Sequence, residues 1–271
     1  MRLGAQPDVN HSLKKAFEFT SRQGFSHIEI LMDHPWYHHE KLNYAEILEL
    51  KGSYDLDVLI HASATATNFI SISSQMRAAS YRELEKTISF AYKTESELIT
   101  FHIGWNPGLI TAGGFVYKKE WYSEHNYRVL TGEMLKFLRK IDSSILALEN
   151  TIEIDYAMRS AIEVLLEKTD LSLTFDIGHW NVKSSHQIFI ENFDRVRNIH
   201  LHDNNGDYDS HLPLGKGNVR LDAIPLERYD GYMTLELRDE KAILKSKEYL
   251  EKLGYLLNTN RFSRSSPSTN P

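Results

Sequence analysis

Eight short apolar segments recur along this chain, and each of them ends in a polar residue. Seven of the eight ends carry a histidine, an aspartate or a glutamate. Between the segments lie stretches of helical length whose apolar residues repeat with the 3.6-residue period of an amphipathic helix. The predicted strands are residues 1–6, 27–32, 58–63, 98–104, 145–150, 171–178, 198–204 and 232–238. The predicted helices are residues 11–23, 42–54, 81–93, 127–139, 156–168, 186–193 and 242–253.

Strand and helix alternate from one end of the chain to the other, which is typical of a parallel sheet. Eight repeats are enough to close such a sheet, so the pattern predicts an α/β fold, a single (β/α)8 TIM barrel. An open, doubly wound sheet is the alternative, but its polar residues would gather at one switch point. We expect residues 1–258 to form the barrel as a catalytic domain, followed by a disordered C-terminal tail at 259–271.

The composition restricts both the kind of metal site and the partners. The 271 residues include no cysteine, which excludes disulfides, thiolate metal sites and a cysteine nucleophile. The formal net charge of −6 weakens the case for a nucleic-acid-binding surface. Because no apolar run approaches the ~20 residues that cross a bilayer, and no signal peptide is evident, we expect a cytoplasmic protein without a membrane partner. No glycine-rich phosphate-binding motif is present, so no nucleotide cofactor is expected.

Carboxylates and imidazoles at the strand ends form the candidate site. His200 and His202 are two residues apart, so they share one face of their strand and point the same way into the barrel mouth. Glu149, Asp176 and Glu236 lie at the ends of three other strands, and a barrel brings such ends together. Carboxylates buried in one cavity need a cation to neutralise them, and imidazole mixed with carboxylate suits zinc or manganese.

The segments around these residues resemble the xylose isomerase-like TIM-barrel superfamily, which includes endonuclease IV and the sugar isomerases and epimerases. The resemblance covers the chain from residue 1 to about residue 256. Its motifs are Ile-His-Ala-Ser at 60–63, Phe-His-Ile-Gly at 101–104, Glu-Asn-Thr at 149–151, Phe-Asp-Ile-Gly-His at 175–179, His-Leu-His-Asp at 200–203, Asp-Ser-His-Leu-Pro-Leu-Gly-Lys-Gly at 209–217, and Glu236.

The resemblance implies a set of nine metal ligands, because endonuclease IV uses a trinuclear zinc site. Carried over by position, the three groups are His61, His102 and Glu149; Glu149, Asp176, His200 and Glu236; and His179, Asp209 and His211. The isomerase branch typically needs only the second group, where Glu149 and Glu236 are the catalytic residues that move a proton beside a carbonyl. The implied cofactor is a divalent metal, zinc or manganese, with one to three ions.

Six further residues are candidates for binding the substrate: Glu29, His202, Lys216, Arg238, Trp105 and Trp180. Several also have a purely structural interpretation. His202 could instead support the ligand His200, whose strand face it shares, or be a neutral core histidine; Lys216 could be a solvent-exposed turn lysine, and Arg238 the partner of a nearby carboxylate. The two tryptophans follow ligand positions and would wall the cavity against a sugar ring.

Three functions are compatible with these residues. We prefer a metal-dependent isomerase or epimerase of a small carbohydrate or sugar phosphate. In endonuclease IV the segment after the second strand carries basic residues that enter the DNA, whereas residues 33–40 here contain no arginine and the chain is acidic. The alternative is an endonuclease IV-like zinc phosphodiesterase acting on abasic DNA, since two additional metal sites suit phosphate-ester cleavage. Nucleic acid is a partner only under that alternative. The third hypothesis is a metal-binding protein without turnover.

Overall fold

Eight parallel strands close into a barrel, which confirms the predicted (β/α)8 fold. The computed structural model describes residues 2–151, 153–183 and 187–256. The barrel strands are β1 Arg2–Ala5, β2 His27–Leu31, β3 Asp57–His61, β4 Leu98–Phe101, β7 Leu146–Glu149, β8 Ser172–Asp176, β9 Val196–Leu201 and β10 Tyr232–Leu235. They follow the order β1-β10-β9-β8-β7-β4-β3-β2 around the barrel, and the neighbours pair in parallel.

Helices follow the barrel strands and pack on the outside of the sheet. A π-helical turn, Leu130–Met134, joins the helices α4 Ser123–Val129 and α5 Leu135–Leu138. The predicted helix at 127–139 therefore belongs to a longer irregular helical segment. A separate antiparallel hairpin, β5 Leu109–Thr111 and β6 Gly114–Val116, follows β4. The helices are α1 Leu13–Arg22, α2 Tyr44–Tyr54, α3 Ser74–Lys93, α4 Ser123–Val129, α5 Leu135–Leu138, α6 Tyr156–Lys168, α7 Ile177–Val182, α8 Gln187–Glu191 and α9 Glu240–Lys252.

Short polar side chains determine where several helices begin. Ser73 accepts a hydrogen bond from the Met76 backbone N–H, so α3 begins well before its predicted start at residue 81. Asp176 accepts from the backbone N–H of His179 at 2.6 Å. This cap ends β8 at Asp176 and starts α7, a helix that the predicted strand at 171–178 did not anticipate.

Side-chain alternation separates the outside of the barrel from its inside. In β2, Ile28 and Ile30 belong to the main apolar core between sheet and helices. His27 and Glu29 alternate with them, so they point into the barrel, where a leucine-containing cluster fills part of the interior. The members of that cluster are Leu59, Leu98, Ala147 and Tyr232. The two-residue alternation along the strand therefore places polar side chains inside the barrel.

Two of the expectations about the chain ends fall outside the described residues. These are the domain boundary at residue 258 and the tail at 259–271. Within the described residues, no helix is both long and apolar enough to span a membrane.

Candidate metal centre

The C-terminal ends of the barrel strands bring the predicted ligands together. His61, Glu149 and Asp176 are the last residues of β3, β7 and β8. In the parallel register Asp176 lies directly beside His200 of β9, and Glu236 follows the last residue of β10. All five side chains are buried. Strand register, rather than sequence proximity, thus assembles the site.

Three carboxylates surround one nitrogen of His200. Its Nδ1 atom lies 3.1 Å from Glu149 Oε1, 2.9 Å from Glu236 Oε2 and 3.9 Å from Asp176 Oδ2. One ligand atom from each of these four residues lies within 4.8 Å of the others. This spacing suits four donors around a single divalent cation.

Glu149 also contacts a second group of donors through its other oxygen. The Nε2 atoms of His61 and His102 lie 3.2 Å and 2.8 Å from Glu149 Oε2, whereas Oε1 faces His200. One carboxylate therefore presents one oxygen to each group, as a bridging ligand between two cations must.

The third predicted group is arranged around Asp209. Asp209 Oδ2 lies 3.3 Å from His179 Nε2 and 3.1 Å from His211 Nε2. Each histidine places its Nδ1 atom 2.7 Å from a main-chain carbonyl, that of Asn150 for His179 and that of Glu236 for His211. If Nδ1 carries the proton in both, both Nε2 atoms are available to a cation. Around His211, however, the residues whose ligand atoms lie within 4.8 Å of one another are His202, His211 and Glu236, which is not the predicted set.

The electrostatics of this cluster fit a bound cation. Burial alone would raise the pKa of Glu149, but the charges of His102 and His200 hold that pKa well below its ordinary value. Burial alone would lower the pKa of His200, yet Glu29, Glu149 and Glu236 raise it well above its ordinary value. Apart from Arg238, which pairs with Glu236, the charges that balance these carboxylates are protonated imidazoles, and a divalent cation would replace those protons.

Buried atoms without hydrogen-bond partners also point to a ligand. Among the described residues, Glu236 Oε2, Asp209 Oδ1 and His202 Nδ1 are buried and make no hydrogen bond. Glu236 Oε2 lies 2.9 Å from His200 Nδ1, but the two atoms are not oriented as a hydrogen bond. Buried polar atoms in native proteins are normally satisfied, so two carboxylate oxygens without hydrogen-bond partners in one cluster fit a role as cation ligands. The donor set is compatible with zinc or manganese.

Glu29, a predicted substrate contact, lies against the predicted ligand His200. Its side chain is fully buried, and its oxygens lie 3.0 Å and 3.2 Å from His200 Nε2. Asn198 Nδ2 donates to Glu29 Oε2 at 2.8 Å. Both oxygens of Glu29 are thus engaged, one side chain that it contacts is the predicted ligand His200, and Glu29 has no exposed surface.

Arg238 pairs with a predicted ligand. Its guanidinium donates to Gln6 Oε1 at 2.7 Å through Nε and bonds Glu236 through Nη2. Arg238 also adopts a positive φ of 52°, which is strained for a residue with a Cβ. Arg238 is thus the partner of a nearby carboxylate, as one interpretation of the sequence had it.

His202 is buried against a second ligand. Its Nε2 atom lies 3.0 Å and 3.1 Å from the two oxygens of Asp176, and its ring stacks on His211 with 3.9 Å between centroids. A Cβ atom at Gly178 would fall 1.9 Å from the His202 ring, so glycine is required there for this packing. His202 therefore contacts the predicted ligand Asp176 and has no exposed surface.

The remaining candidates lie away from the ligands. Lys216 is exposed in a turn, and Trp105 is 62% exposed. Trp180 packs against Phe175 and lines a shallow cleft of about 410 Å³. No hydrogen bond, ion pair or ring contact joins these three side chains to the nine predicted ligands in the part of the chain that the structure describes.

Two positioning residues had no role in the sequence interpretation. Asp203 is buried, and its carboxylate accepts four backbone N–H bonds at 2.9 Å, from Asn204, Gly215, Gly217 and Val219. These bonds hold the end of the loop that carries Asp209 and His211. Asn150 binds Asp176 through both main-chain groups of that residue, at 2.8 Å and 2.6 Å. The available signal was their place in the Glu-Asn-Thr and His-Leu-His-Asp motifs, where Asn150 follows the predicted ligand Glu149 and Asp203 follows His202.

Known proteins of similar sequence and structure share this barrel. The family model described as xylose isomerase-like TIM barrel matches residues 17–257. The uncharacterized protein MJ1311 of Methanocaldococcus jannaschii is 27% identical over 261 residues, 91% of this chain and 86% of that protein. Among solved structures, a D-tagatose 3-epimerase-like protein has a TM-score of 0.74 at 24% identity, covering 93% of this chain and 96% of its own. Endonuclease IV from Thermus thermophilus has a TM-score of 0.65 at 19% identity, covering 93% and 100%. At these identities the structural similarities establish the fold alone.

Proposed function

This chain belongs to the xylose isomerase-like TIM-barrel family, and we propose that it is a metal-dependent isomerase or epimerase of small sugars. The observation that carries the proposal is the convergence of Glu149 and Glu236 on His200 Nδ1, at 3.1 Å and 2.9 Å. Two carboxylates around one metal position are suited to removing a proton from a carbon and returning one to it.

The proposed chemistry divides between the cation and the two glutamates. A divalent cation held by Glu149, Asp176, His200 and Glu236 would polarise the carbonyl and hydroxyl oxygens of a sugar and acidify the adjacent C–H. In epimerisation, one glutamate would take the proton from one face of that carbon, and the other would deliver a proton to the opposite face. The Arg238 guanidinium bonds Glu236 and Gln6 and would keep Glu236 oriented.

The surroundings favour a neutral sugar over a sugar phosphate. Of the two basic residues suggested by the sequence, Arg238 is engaged by Glu236 and Gln6, and Lys216 is exposed in a turn. The cluster itself is rich in carboxylates, which would repel a phosphate unless several cations were bound. We therefore assign an unphosphorylated ketose or aldose as the substrate class.

Solvent exchange tests the proposal directly. The protein, loaded with Mn²⁺, Co²⁺ or Zn²⁺, is incubated in deuterated water with a panel of ketoses and aldoses, and NMR measures deuterium at the carbon beside the carbonyl. We expect enzyme-dependent incorporation, reduced about 10²–10⁴-fold in Glu236→Gln. Glu133→Gln is the matched control, because Glu133 pairs with Arg77 and not with the cluster. Absence of exchange on the whole panel, with metal bound, would contradict the proposal.

A zinc phosphodiesterase is the second candidate, and the contacts of all nine predicted ligands support it. His61 and His102 share Glu149 with the central group, and Asp209 joins His179 to His211. Three cations in these positions would suit cleavage of a phosphate ester. Metal analysis by mass spectrometry and incision of an abasic-site duplex test it: about three zinc ions per chain with incision would favour it over the isomerase. Bound metal without turnover in either assay would favour a binding protein.

A further inference from the structure

A line of buried polar side chains continues from the metal centre into the barrel interior. His200 Nε2 contacts Glu29, Glu29 Oε2 accepts from Asn198 Nδ2 at 2.8 Å, and Asn198 Oδ1 accepts from the Thr234 hydroxyl at 3.0 Å. All four residues are fully buried. Since solvent does not reach them, contacts with other protein groups, these among them, determine how each group is oriented.

The line fixes which nitrogen of His200 carries a proton. An ionised carboxylate can only accept hydrogen bonds, so His200 must donate its Nε2–H to Glu29. Its Nδ1 atom faces Glu149 and Glu236, where a cation with carboxylate partners would bind. We propose that Glu29 is a positioning residue that holds His200 as its Nε2–H tautomer and presents Nδ1 to the cation. This inference rests on the metal centre of the proposed function.

Asn198 explains why Glu29 can be fixed so firmly. Its side-chain amide is oriented by the Thr234 hydroxyl, which donates to the carbonyl oxygen and leaves the amide N–H directed at Glu29. Glu29 Oε1 also lies 3.4 Å from Gln6 Nε2. A carboxylate held in this way raises the basicity of the imidazole it accepts from, and so strengthens the imidazole as a metal ligand.

Gln6 links Glu29 to a second predicted ligand, Glu236, through Arg238. Its amide nitrogen lies by Glu29, and its carbonyl oxygen accepts from Arg238, which in turn bonds Glu236. His200 and Glu236 are therefore connected through Glu29, Gln6 and Arg238 as well as directly. Loss of Glu29 should loosen the metal site without removing any of its ligands.

Glu29→Gln tests the inference, because it keeps the shape and removes the charge. Zinc affinity is measured by competition with a chromophoric chelator, and ¹⁵N-histidine NMR reports the tautomer, with His200→Asn assigning the signal. We expect zinc-loaded wild-type protein to show His200 with a proton on Nε2 and zinc on Nδ1. In Glu29→Gln we expect about 10–100-fold weaker zinc binding and loss of that tautomer signature. Glu133→Gln, in an ion pair far from the cluster, should retain both.

The outcomes separate this inference from the proposed function. If wild-type protein binds no zinc, manganese or cobalt, the metal centre itself is wrong. If it binds zinc but Glu29→Gln has the same affinity and tautomer, Glu29 has no positioning role, whatever the reaction. If Glu29→Gln does not fold, Asn198→Ala removes the donor to Glu29 Oε2, and a loss of about three-fold or more in zinc affinity is then expected. Unchanged affinity in a folded Asn198→Ala would overturn the inference.

Discussion

Two fully buried histidines inside the same barrel have opposite acid–base behaviour. At the C-terminal ends of the strands, Glu29, Glu149 and Glu236 overcome the effect of burial and raise the pKa of His200 well above its ordinary value. At the opposite end, burial dominates and lowers the pKa of His27 to about 3. The immediate partners of His27 are hydroxyl groups: Nε2 lies 2.9 Å from Thr234 Oγ1, and Nδ1 lies 3.2 Å from Ser26 Oγ.

The difference shows that burial alone does not make a histidine functional. His27 is neutral, satisfied by hydroxyls and packed edge-on against Tyr232, with 4.9 Å between ring centroids. It fills one end of the barrel. His200 belongs to a cluster whose charges balance only when protons or a cation are present. The carboxylates, rather than the imidazoles, distinguish the candidate metal centre from the closed end of the barrel.

The largest expected effect is that of removing a charge from the carboxylate-rich end. Glu149→Gln eliminates the bridging carboxylate that faces His61, His102 and His200. Under the proposed function we expect proton exchange on a sugar to fall by about 10²–10⁴-fold, because one of the two proposed proton-transfer groups is lost. Deuterium incorporation measured by NMR checks this, with Glu133→Gln as the control. Exchange at the wild-type rate would show that Glu149 is not catalytic.

Metal binding should stabilise the fold through one end of the barrel only. Zinc at 100 times the wild-type Kd should raise the free energy of unfolding of wild-type protein by about 2.7 kcal/mol, because the native state alone holds the ligands together. Chemical denaturation with and without zinc measures this difference. His27→Gln should gain as much as wild type, whereas Glu149→Gln should gain little. An equal gain in both variants would place the stabilising zinc elsewhere.

The sequence contained enough information for the barrel and for which residues meet, because both depend on the strand period and on order along the chain. The ends of β3, β7 and β8 carry His61, Glu149 and Asp176, and closure of the sheet alone brings them together. Three-dimensional neighbours inside the barrel were harder to predict. Glu29 was expected at the substrate, but strand alternation and the depth of β2 place it below His200.

Caps and loop anchors were the other features that the sequence did not reveal. The cap formed by Asp176 ends β8 and starts α7, and the His179 ring that follows it lies against the Asn150 carbonyl, a tertiary contact without a local signature. Asp203 accepts four backbone N–H groups, two of them from Gly215 and Gly217, which lie more than ten residues further along the chain. Hydrogen bonds between residues so far apart in the chain cannot be recognised from the local sequence. The glycines and the neighbouring ligand motif can be recognised there.

Acid should destabilise the protein through His27. The pKa of His27 in the folded state is about 3, below the ordinary value of 6.5, so the folded protein favours the neutral ring. Its contribution to stability is complete above pH 6.5 and is lost as the pH falls from there toward 3. The unfolding free energy of metal-free wild type relative to His27→Gln should fall by about 1.4 kcal/mol per pH unit, or about 2 kcal/mol from about pH 6 to about pH 4.5. Denaturation at several pH values measures it, and a pH-independent difference would contradict the assignment.

A pair of glycines offers the finest test of the two ends, since each packs on a histidine. A Cβ atom would fall 2.3 Å from the His27 carbonyl oxygen at Gly4, and 1.9 Å from the His202 ring at Gly178. We expect Gly4→Ala and Gly178→Ala each to lower the free energy of unfolding by about 1–3 kcal/mol, because both sites are fully packed.

Zinc affinity should separate the two variants. Gly178→Ala should displace His202 from Asp176, whose oxygens lie 3.0 Å and 3.1 Å from His202 Nε2, and so disturb a ligand of the central group. Gly4→Ala crowds His27, which is linked to the ligand His200 only indirectly, through Thr234, Asn198 and Glu29. We therefore expect a larger loss of zinc affinity in Gly178→Ala than in Gly4→Ala, measured by chelator competition on folded protein. Equal zinc affinities would mean that His202 packs against Asp176 without orienting it, and that the closed end and the metal end respond to crowding in the same way.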